Sequence, residues 1–193
     1  MEDELKNKAT QGVFWSAVER YSLQVVQFLL QLIIARILTP HDYGLIGMLA
    51  IFMALSQVFI DGGFSNALIQ KKDRNEKDYS TVFYINFGIS LFIYLLLFFA
   101  APYIASFYDQ PLLTPITRIY SINLVINSLA AVNKVKLTVN VDFKTQSKIS
   151  LGAAVISGIA GIICAYKGMG VWALVVQMLL NSLINVILSF FYV

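Results

Sequence analysis

The chain has 193 residues, of which 58% are hydrophobic and 13% are charged, and its mean hydropathy is +0.72. Soluble domains carry about 25% charged residues, so this composition excludes an ordinary soluble domain and indicates an all-α, polytopic membrane protein. The single cysteine excludes a disulfide framework and a thiolate metal cluster, and the single histidine leaves few histidine-based sites. The net charge of +3 matters less than where the charges lie along the chain.

Six apolar segments follow one another and predict a bundle of six transmembrane helices, because an α-helix needs about 20 residues to cross a hydrocarbon core. The predicted spans are residues 12–36, 45–60, 80–101, 114–132, 149–166 and 171–193. Between them we expect a turn at 38–44, an end of the third span at Pro102, and a basic linker at 134–148. We expect one domain, a single six-helix lobe over residues 1–193.

The first predicted span carries a polar stripe along one face. At about 100° per residue, its polar side chains fall within a sector of about 80°. They are Ser16, Arg20, Gln24, Gln27 and Gln31. Such a stripe is costly in hydrocarbon unless it faces protein or a wet cavity.

Two interpretations of the stripe stay open. In the first, it lines a cavity where Arg20 meets phosphate and the glutamines meet sugar hydroxyls, because guanidinium and amide groups suit those partners. In the second, the stripe packs against other helices, while Glu19 neutralises Arg20 or Arg20 snorkels to the membrane surface.

Two further spans carry polar lines at helical spacing, and these too predict either a cavity lining or hydrogen bonds between helices. The fourth span carries Tyr120, Asn123 and Asn127, and the sixth carries Gln177, Asn181, Asn185 and Ser189. In the fifth span, Ala154, Ser157, Gly158 and Gly161 are small residues whose spacing predicts close helix approach. Asp61 and Asp142 are interpreted as helix-terminal residues, with an ion or gate role as the alternative.

The candidate site is therefore a set of polar side chains inside the bundle. Its predicted cavity residues are Arg20, Gln24, Gln27, Gln31, Asn123, Asn127 and Asn181, and its candidate ion or gate residues are Glu19 and Asp61. We expect no catalytic residues, no metal and no cofactor.

Basic residues concentrate in one set of connecting segments. If the N-terminus is cytoplasmic, the inner segments hold ten lysines and arginines and the outer segments two. This bias predicts that both termini are cytoplasmic and that the basic segments attract anionic lipid head groups. Arg118 lies near the outer end of the fourth span, where snorkelling or a cavity role would explain it.

Sequence motifs for enzyme chemistry are absent: there is no phosphate-binding G-x-x-x-x-G-K-[ST], no H-E-x-x-H and no zinc spacing. The outer loops are too short for the catalytic loop of a membrane glycosyltransferase or polymerase. We therefore expect a non-enzyme that binds membrane lipids and no nucleic acid. The first dozen residues carry mixed charge, so we expect no cleavable signal peptide.

Five sequence segments resemble one family in the right order. They are ARILTPHDYGL at 35–45, DGGFSNALIQ at 61–70, APYIASFY at 101–108, and the pair VDFK at 141–144 and GMGVWALV at 168–175. Together they resemble the N-terminal half of lipopolysaccharide and exopolysaccharide flippases, the Wzx-like and TuaB-like branch of the superfamily that includes MATE multidrug exporters. Asn140 stands where that family often has arginine.

The resemblance implies a two-lobe fold that works by alternating access in the bacterial cytoplasmic membrane. The implied substrate is an undecaprenyl-pyrophosphate-linked oligosaccharide, moved to the outer leaflet for cell-surface polysaccharide. This chain would supply one lobe, so a C-terminal lobe or a second chain is an expected partner. Two alternatives remain: an ion-coupled multidrug exporter on the same fold, which needs an interior carboxylate such as Glu19, and a non-transporting membrane fragment or scaffold.

Overall fold

The computed structural model describes residue 21 and residues 23–62, 64–71, 75–140 and 142–192, and within these the regular structure is entirely α-helical. The predicted all-α class is confirmed. The helices are α1 (Leu23–Ala35), α2 (Pro40–Asp61), α3 (Phe64–Gln70), α4 (Glu76–Phe107), α5 (Leu113–Tyr120), α6 (Ile122–Val139), α7 (Phe143–Tyr166) and α8 (Val171–Tyr192).

Four of these helices are long and apolar enough to cross a membrane: α2, α4, α7 and α8. Each overlaps one predicted span. The predicted first span lies partly outside the described residues, and its described part is the shorter apolar helix α1. The predicted fourth span is divided between α5 and α6 at Ser121, whose hydroxyl donates to the Arg118 carbonyl at 3.3 Å.

The start of α2 differs from the predicted turn at 38–44. Pro40 opens the helix instead of breaking it, because the first helical position needs no N–H donor. Thr39 and Asp42 form a capping box: the Thr39 N–H donates to Asp42 Oδ2 at 2.9 Å, and the Asp42 N–H donates to Thr39 Oγ1 at 3.4 Å. The helix therefore begins five residues before the predicted span.

The predicted end of the third span at Pro102 is wrong, because α4 continues through this proline to Phe107. Pro102 has no N–H, so the carbonyl four residues earlier, that of Phe98, loses its usual helical donor. Arg118 of α5 fills that position: its Nε donates to the Phe98 carbonyl at 3.3 Å, and its guanidinium carbon lies 4.5 Å from the centre of the Phe98 ring. A donor from a neighbouring helix thus replaces the missing bond.

The structure thus gives Arg118 a role that was not predicted from the sequence, as a hydrogen-bond donor to α4. Its side chain is half-buried and bound to α4.

The predicted linker at 134–148 is also mostly helical. Helix α6 extends to Val139 and α7 begins at Phe143. Lysine is a good helix former, so a basic segment leaving the membrane need not be a loop. Asp142 caps α7 by accepting from the Thr145 N–H at 3.1 Å and from the Thr145 hydroxyl at 2.7 Å, which confirms its helix-terminal role.

Helix α3 was not predicted from the sequence. It comes after Gly62, which ends α2 in the left-handed conformation at φ +35°. This conformation is typical of a glycine helix cap.

Helices α7 and α8 form the most extensive packed pair, and α6 packs against both α4 and α8. The main apolar core joins α2, α4, α5, α6 and α8. Its fully buried members include Leu45, Leu49, Leu113, Ile116 and Val175. Polar contacts between side chains also cross between helices: Ser90 of α4 donates to Ser128 of α6 at 2.9 Å, and Asn133 of α6 donates to Ser189 of α8 at 3.4 Å.

A second apolar cluster closes the end of the bundle where α1 and α7 finish and α2 and α8 begin. Asp42 spans this end, because its carboxylate also accepts the backbone N–H of Val171, the first residue of α8. Gly170 has φ +54°, and a Cβ there would lie 3.0 Å from Asp42 Oδ1. The motifs at 35–45 and 168–175 are far apart in sequence, and the contacts of Asp42 bring them together at this end of the bundle.

Candidate functional site

A polar cavity of about 230 Å³, here called the amide cavity, lies between α1, α7 and α8. Glutamines one turn apart contribute from α1, and Gln177 and Asn181, also one turn apart, contribute from α8. Residues at this spacing share a helix face, which is why four amides meet here. The full lining is Gln27, Leu30, Gln31, Ala154, Ser157, Gln177, Met178 and Asn181.

The amide cavity has spare hydrogen-bonding capacity. Gln177 Oε1 is buried and accepts no hydrogen bond from the described part of the chain. Gln31 Oε1 accepts a long hydrogen bond, 3.4 Å, from the Tyr43 hydroxyl. A buried acceptor without a donor costs about 1–3 kcal/mol, so this cavity favours water or a hydroxyl-bearing ligand.

The position of Gln177 depends on two close helix approaches of α7. A Cβ on Gly161 would lie 2.9 Å from the Gln177 Cβ, and a Cβ on Gly158 would overlap the Leu30 side chain. The predicted close approach at these small residues is therefore present, and it sets the walls of the amide cavity.

The asparagines of the two predicted polar lines bond along their own helices, whereas Ser189, the last member of the sixth-span line, joins α8 to α6. Asn127 Nδ2 donates to Asn123 Oδ1 at 3.0 Å within α6, and Asn185 Nδ2 donates to Asn181 Oδ1 at 2.9 Å within α8. Asparagines four residues apart satisfy each other along one helix. Interhelical bonds between polar side chains are made by Ser90 with Ser128 and by Asn133 with Ser189.

A second cavity of about 420 Å³, here called the lysine cavity, lies where α2 and α3 meet α6 and α7. One part of its wall is apolar and the other carries amides, a hydroxyl and one ammonium group. Its lining is Gln57, Ile69, Asn127, Ala131, Lys134, Val135, Thr138 and Gln146. No carboxylate is among these residues.

The predicted site residues are thus divided. Gln27, Gln31 and Asn181 come together in the amide cavity, whereas Asn127 lines the lysine cavity. Asn123 is buried within α6, and Gln24 is exposed and lines neither cavity. Glu19 and Arg20 lie outside the described residues, and so does the side chain of Asp61 at the end of α2.

Four polar lining residues of the lysine cavity were not predicted from the sequence: Gln57, Lys134, Thr138 and Gln146. Gln57 is a polar residue within an apolar span, and this pattern could have identified it from the sequence as a candidate lining residue. Lys134 and Gln146 lie in the segment that the sequence assigned to a linker, so their pattern pointed to solvent. Within the described residues, no group of three or more potential metal ligands occurs.

The fold and its cavities define a multi-pass helical membrane protein with polar interior surfaces. Residues 33–193 match the family model described as polysaccharide biosynthesis protein, and the chain belongs to that family. The family suggested by the sequence motifs is thereby confirmed.

Three curated relatives cover most of this chain. The lipopolysaccharide biosynthesis protein WzxC of Escherichia coli K12 is 23% identical over 94% of this chain and 36% of its own length. The teichuronic acid biosynthesis protein TuaB of Bacillus subtilis is 28% identical over 76% and 30%. The succinoglycan biosynthesis transport protein ExoT of Rhizobium meliloti is 23% identical over 91% and 36%.

The chain spans about a third of the length of each of these relatives. No solved structure matches it at a significant level.

Proposed function

We propose that this chain forms a six-helix lobe of a flippase that moves an undecaprenyl-pyrophosphate-linked oligosaccharide across the bacterial cytoplasmic membrane. The family, and the names of relatives in lipopolysaccharide, teichuronic acid and succinoglycan biosynthesis, support this reading. A second lobe, on the same protein or on another chain, completes the transporter. Both termini of this lobe face the cytoplasm.

The amide cavity is the observation that carries the proposal. Four amides and the Ser157 hydroxyl surround it within helices that are otherwise apolar. Each amide offers a donor and an acceptor, as each sugar hydroxyl does, so the two can pair without leaving a buried polar group unsatisfied. Gln27, Gln31 and Asn181 contact the sugar in this account.

Charge recognition is assigned to the start of the first span. Arg20 meets the pyrophosphate, since guanidinium binds phosphate through two parallel hydrogen bonds. Gln24 lies one turn further on and continues that polar face toward Gln27. Glu19 and Asp61 stay candidates for an ion or gate contact.

The multidrug-exporter alternative needs a carboxylate facing the transport path, to bind a cation or a proton. In the part of the chain that the structure describes, neither cavity has one in its lining. The cavities therefore favour a hydroxyl-rich and anionic solute over a cationic drug.

A single-cysteine experiment tests the role of the amide cavity. In a Cys164→Ser background, Asn181→Cys is compared with Leu183→Cys, an exposed site on another face of α8. Thiols react as thiolates, which need water, so a water-soluble maleimide should label position 181 about tenfold faster than position 183 in membrane vesicles. Added lipid-linked oligosaccharide should then slow labelling at 181 only. Equal rates at both sites, or no protection by the oligosaccharide, would contradict the proposal.

A further inference from the structure

The lysine cavity has a chemistry different from that of the amide cavity. Among its described lining residues, Lys134 contributes the one formal charge, and Asn127, Thr138 and Gln146 contribute neutral polar groups. Ile69 and Val135 supply an apolar part of its wall. A ligand that fits all three surfaces is an anion with polar substituents and an apolar chain.

Within the described residues, the charged groups near this cavity pair with one another and not with Lys134, so its ammonium group is available to a ligand. Lys136, two residues along α6, lies 4.0 Å from a Glu76 carboxylate oxygen and 5.3 Å from the centre of the Tyr79 ring. Lys71 forms an ion pair with Asp78 at 2.7 Å. Within the described chain, Lys134 forms no such ion pair, and its side chain is exposed at the cavity mouth.

The position of the cavity matches the head-group layer of a membrane. Lys134 follows the predicted end of the fourth span at residue 132, and the positive-inside bias assigns this end to the cytoplasmic leaflet. The volume of about 420 Å³ lies within the range of small-ligand pockets, about 300–1,000 Å³. An ammonium group at this depth attracts the phosphate of an anionic lipid.

We propose that the lysine cavity binds the phosphate-bearing head group of a cytoplasmic-leaflet lipid, with Lys134 contacting the phosphate and the Ile69–Val135 wall contacting the first part of the lipid chain. The proposal rests on this cavity and on the predicted membrane orientation, and it does not depend on transport. Two lipids share the required chemistry: an anionic phospholipid and a polyprenyl phosphate.

Binding to the purified full chain in detergent tests the proposal, with short-chain phosphatidylglycerol and a polyprenyl phosphate as probes and the matching polyprenol as the phosphate-free control. Losing a charge-assisted contact typically weakens binding about tenfold, so Lys134→Gln should raise the Kd by that factor while Lys134→Arg stays within about threefold. Lys136→Gln removes the same charge two residues away and should change the Kd less than about twofold.

The two probes also separate the possible sources of the phosphate. If only phosphatidylglycerol binds in a Lys134-dependent way, the cavity is a phospholipid site. If only polyprenyl phosphate does, it is a carrier-lipid site. Either result supports the proposal. Equal binding of polyprenol and its phosphate, or equal losses in Lys134→Gln and Lys136→Gln, overturns it. If Lys134→Gln fails to fold, acylation of the wild-type chain by an amine reagent tests the proposal instead. Bound lipid is expected to protect Lys134 from acylation and to leave Lys136 unprotected.

Discussion

Replacing Arg118 with leucine is expected to lower the free energy of unfolding by about 1–3 kcal/mol, the usual penalty for a buried polar group that loses its partner. The group concerned is the Phe98 carbonyl, which Pro102 deprives of its helical donor and which Arg118 Nε serves at 3.3 Å. Unfolding of the purified chain in mixed detergent micelles measures the change.

The same carbonyl can be satisfied in another way, and this makes the prediction specific. Pro102→Ala restores an N–H four residues after Phe98, so Arg118→Leu should lose less than half as much stability in that background. The coupling energy in this double-mutant cycle is expected to be about 1 kcal/mol or more.

Arg36→Leu removes a guanidinium that is exposed, and it should be nearly neutral. An equal loss for Arg118→Leu with and without Pro102 would show that the arginine acts through its charge or its contact with the Phe98 ring alone.

Gly161→Ala is expected to be the most damaging of the glycine substitutions in α7, at about 1–3 kcal/mol of lost stability. The new methyl group would lie 2.9 Å from the Gln177 Cβ, an atom that moves only with the backbone of α8. Since α7 and α8 form the most extensive helix pair, separating them also opens the amide cavity. Thermal unfolding in detergent and maleimide labelling of Asn181→Cys report the two effects.

Two other glycines serve as controls for this substitution. Gly158→Ala meets the flexible end of the Leu30 side chain, so its loss should be smaller than that of Gly161→Ala. Gly88→Ala in α4 has no atom within 4 Å and should be neutral or stabilising by up to about 1 kcal/mol, because alanine favours a helix over glycine. Equal effects at Gly161 and Gly88 would mean that α7 and α8 do not approach closely.

The sequence predicted the features that depend on local pattern. Apolar segments of sufficient length located α2, α4, α7 and α8, and the α8 bounds of 171–192 agree with the predicted span to within one residue. Spacing of four residues placed Gln27 with Gln31 and Gln177 with Asn181 on shared faces, and the structure brings both pairs to one cavity. Helix spacing is a local property, so one sequence suffices to read it.

The missed features depend on contacts between distant residues. Proline predicts the end of a helix unless another group supplies the missing hydrogen bond, and Arg118 lies 16 positions after Pro102. Lys134 was assigned to a linker because charge was taken to mean solvent, whereas α6 extends past the apolar segment and places it at a cavity. Asn127 and Asn185 donate within their own helices, whereas Asn133 donates to the neighbouring helix α8. Spacing along one helix does not distinguish these two outcomes.

The leaflet distribution of lipid-linked oligosaccharide, in cells with and without the gene encoding this chain, tests the flippase proposal most directly. A membrane-impermeant glycosidase applied to spheroplasts and to inverted vesicles measures the two leaflets separately. The account predicts that deletion causes the oligosaccharide to accumulate in the cytoplasmic leaflet and the surface polysaccharide to disappear, and that the restored gene reverses both. An unchanged leaflet distribution together with normal surface polysaccharide in the deletion strain would contradict it.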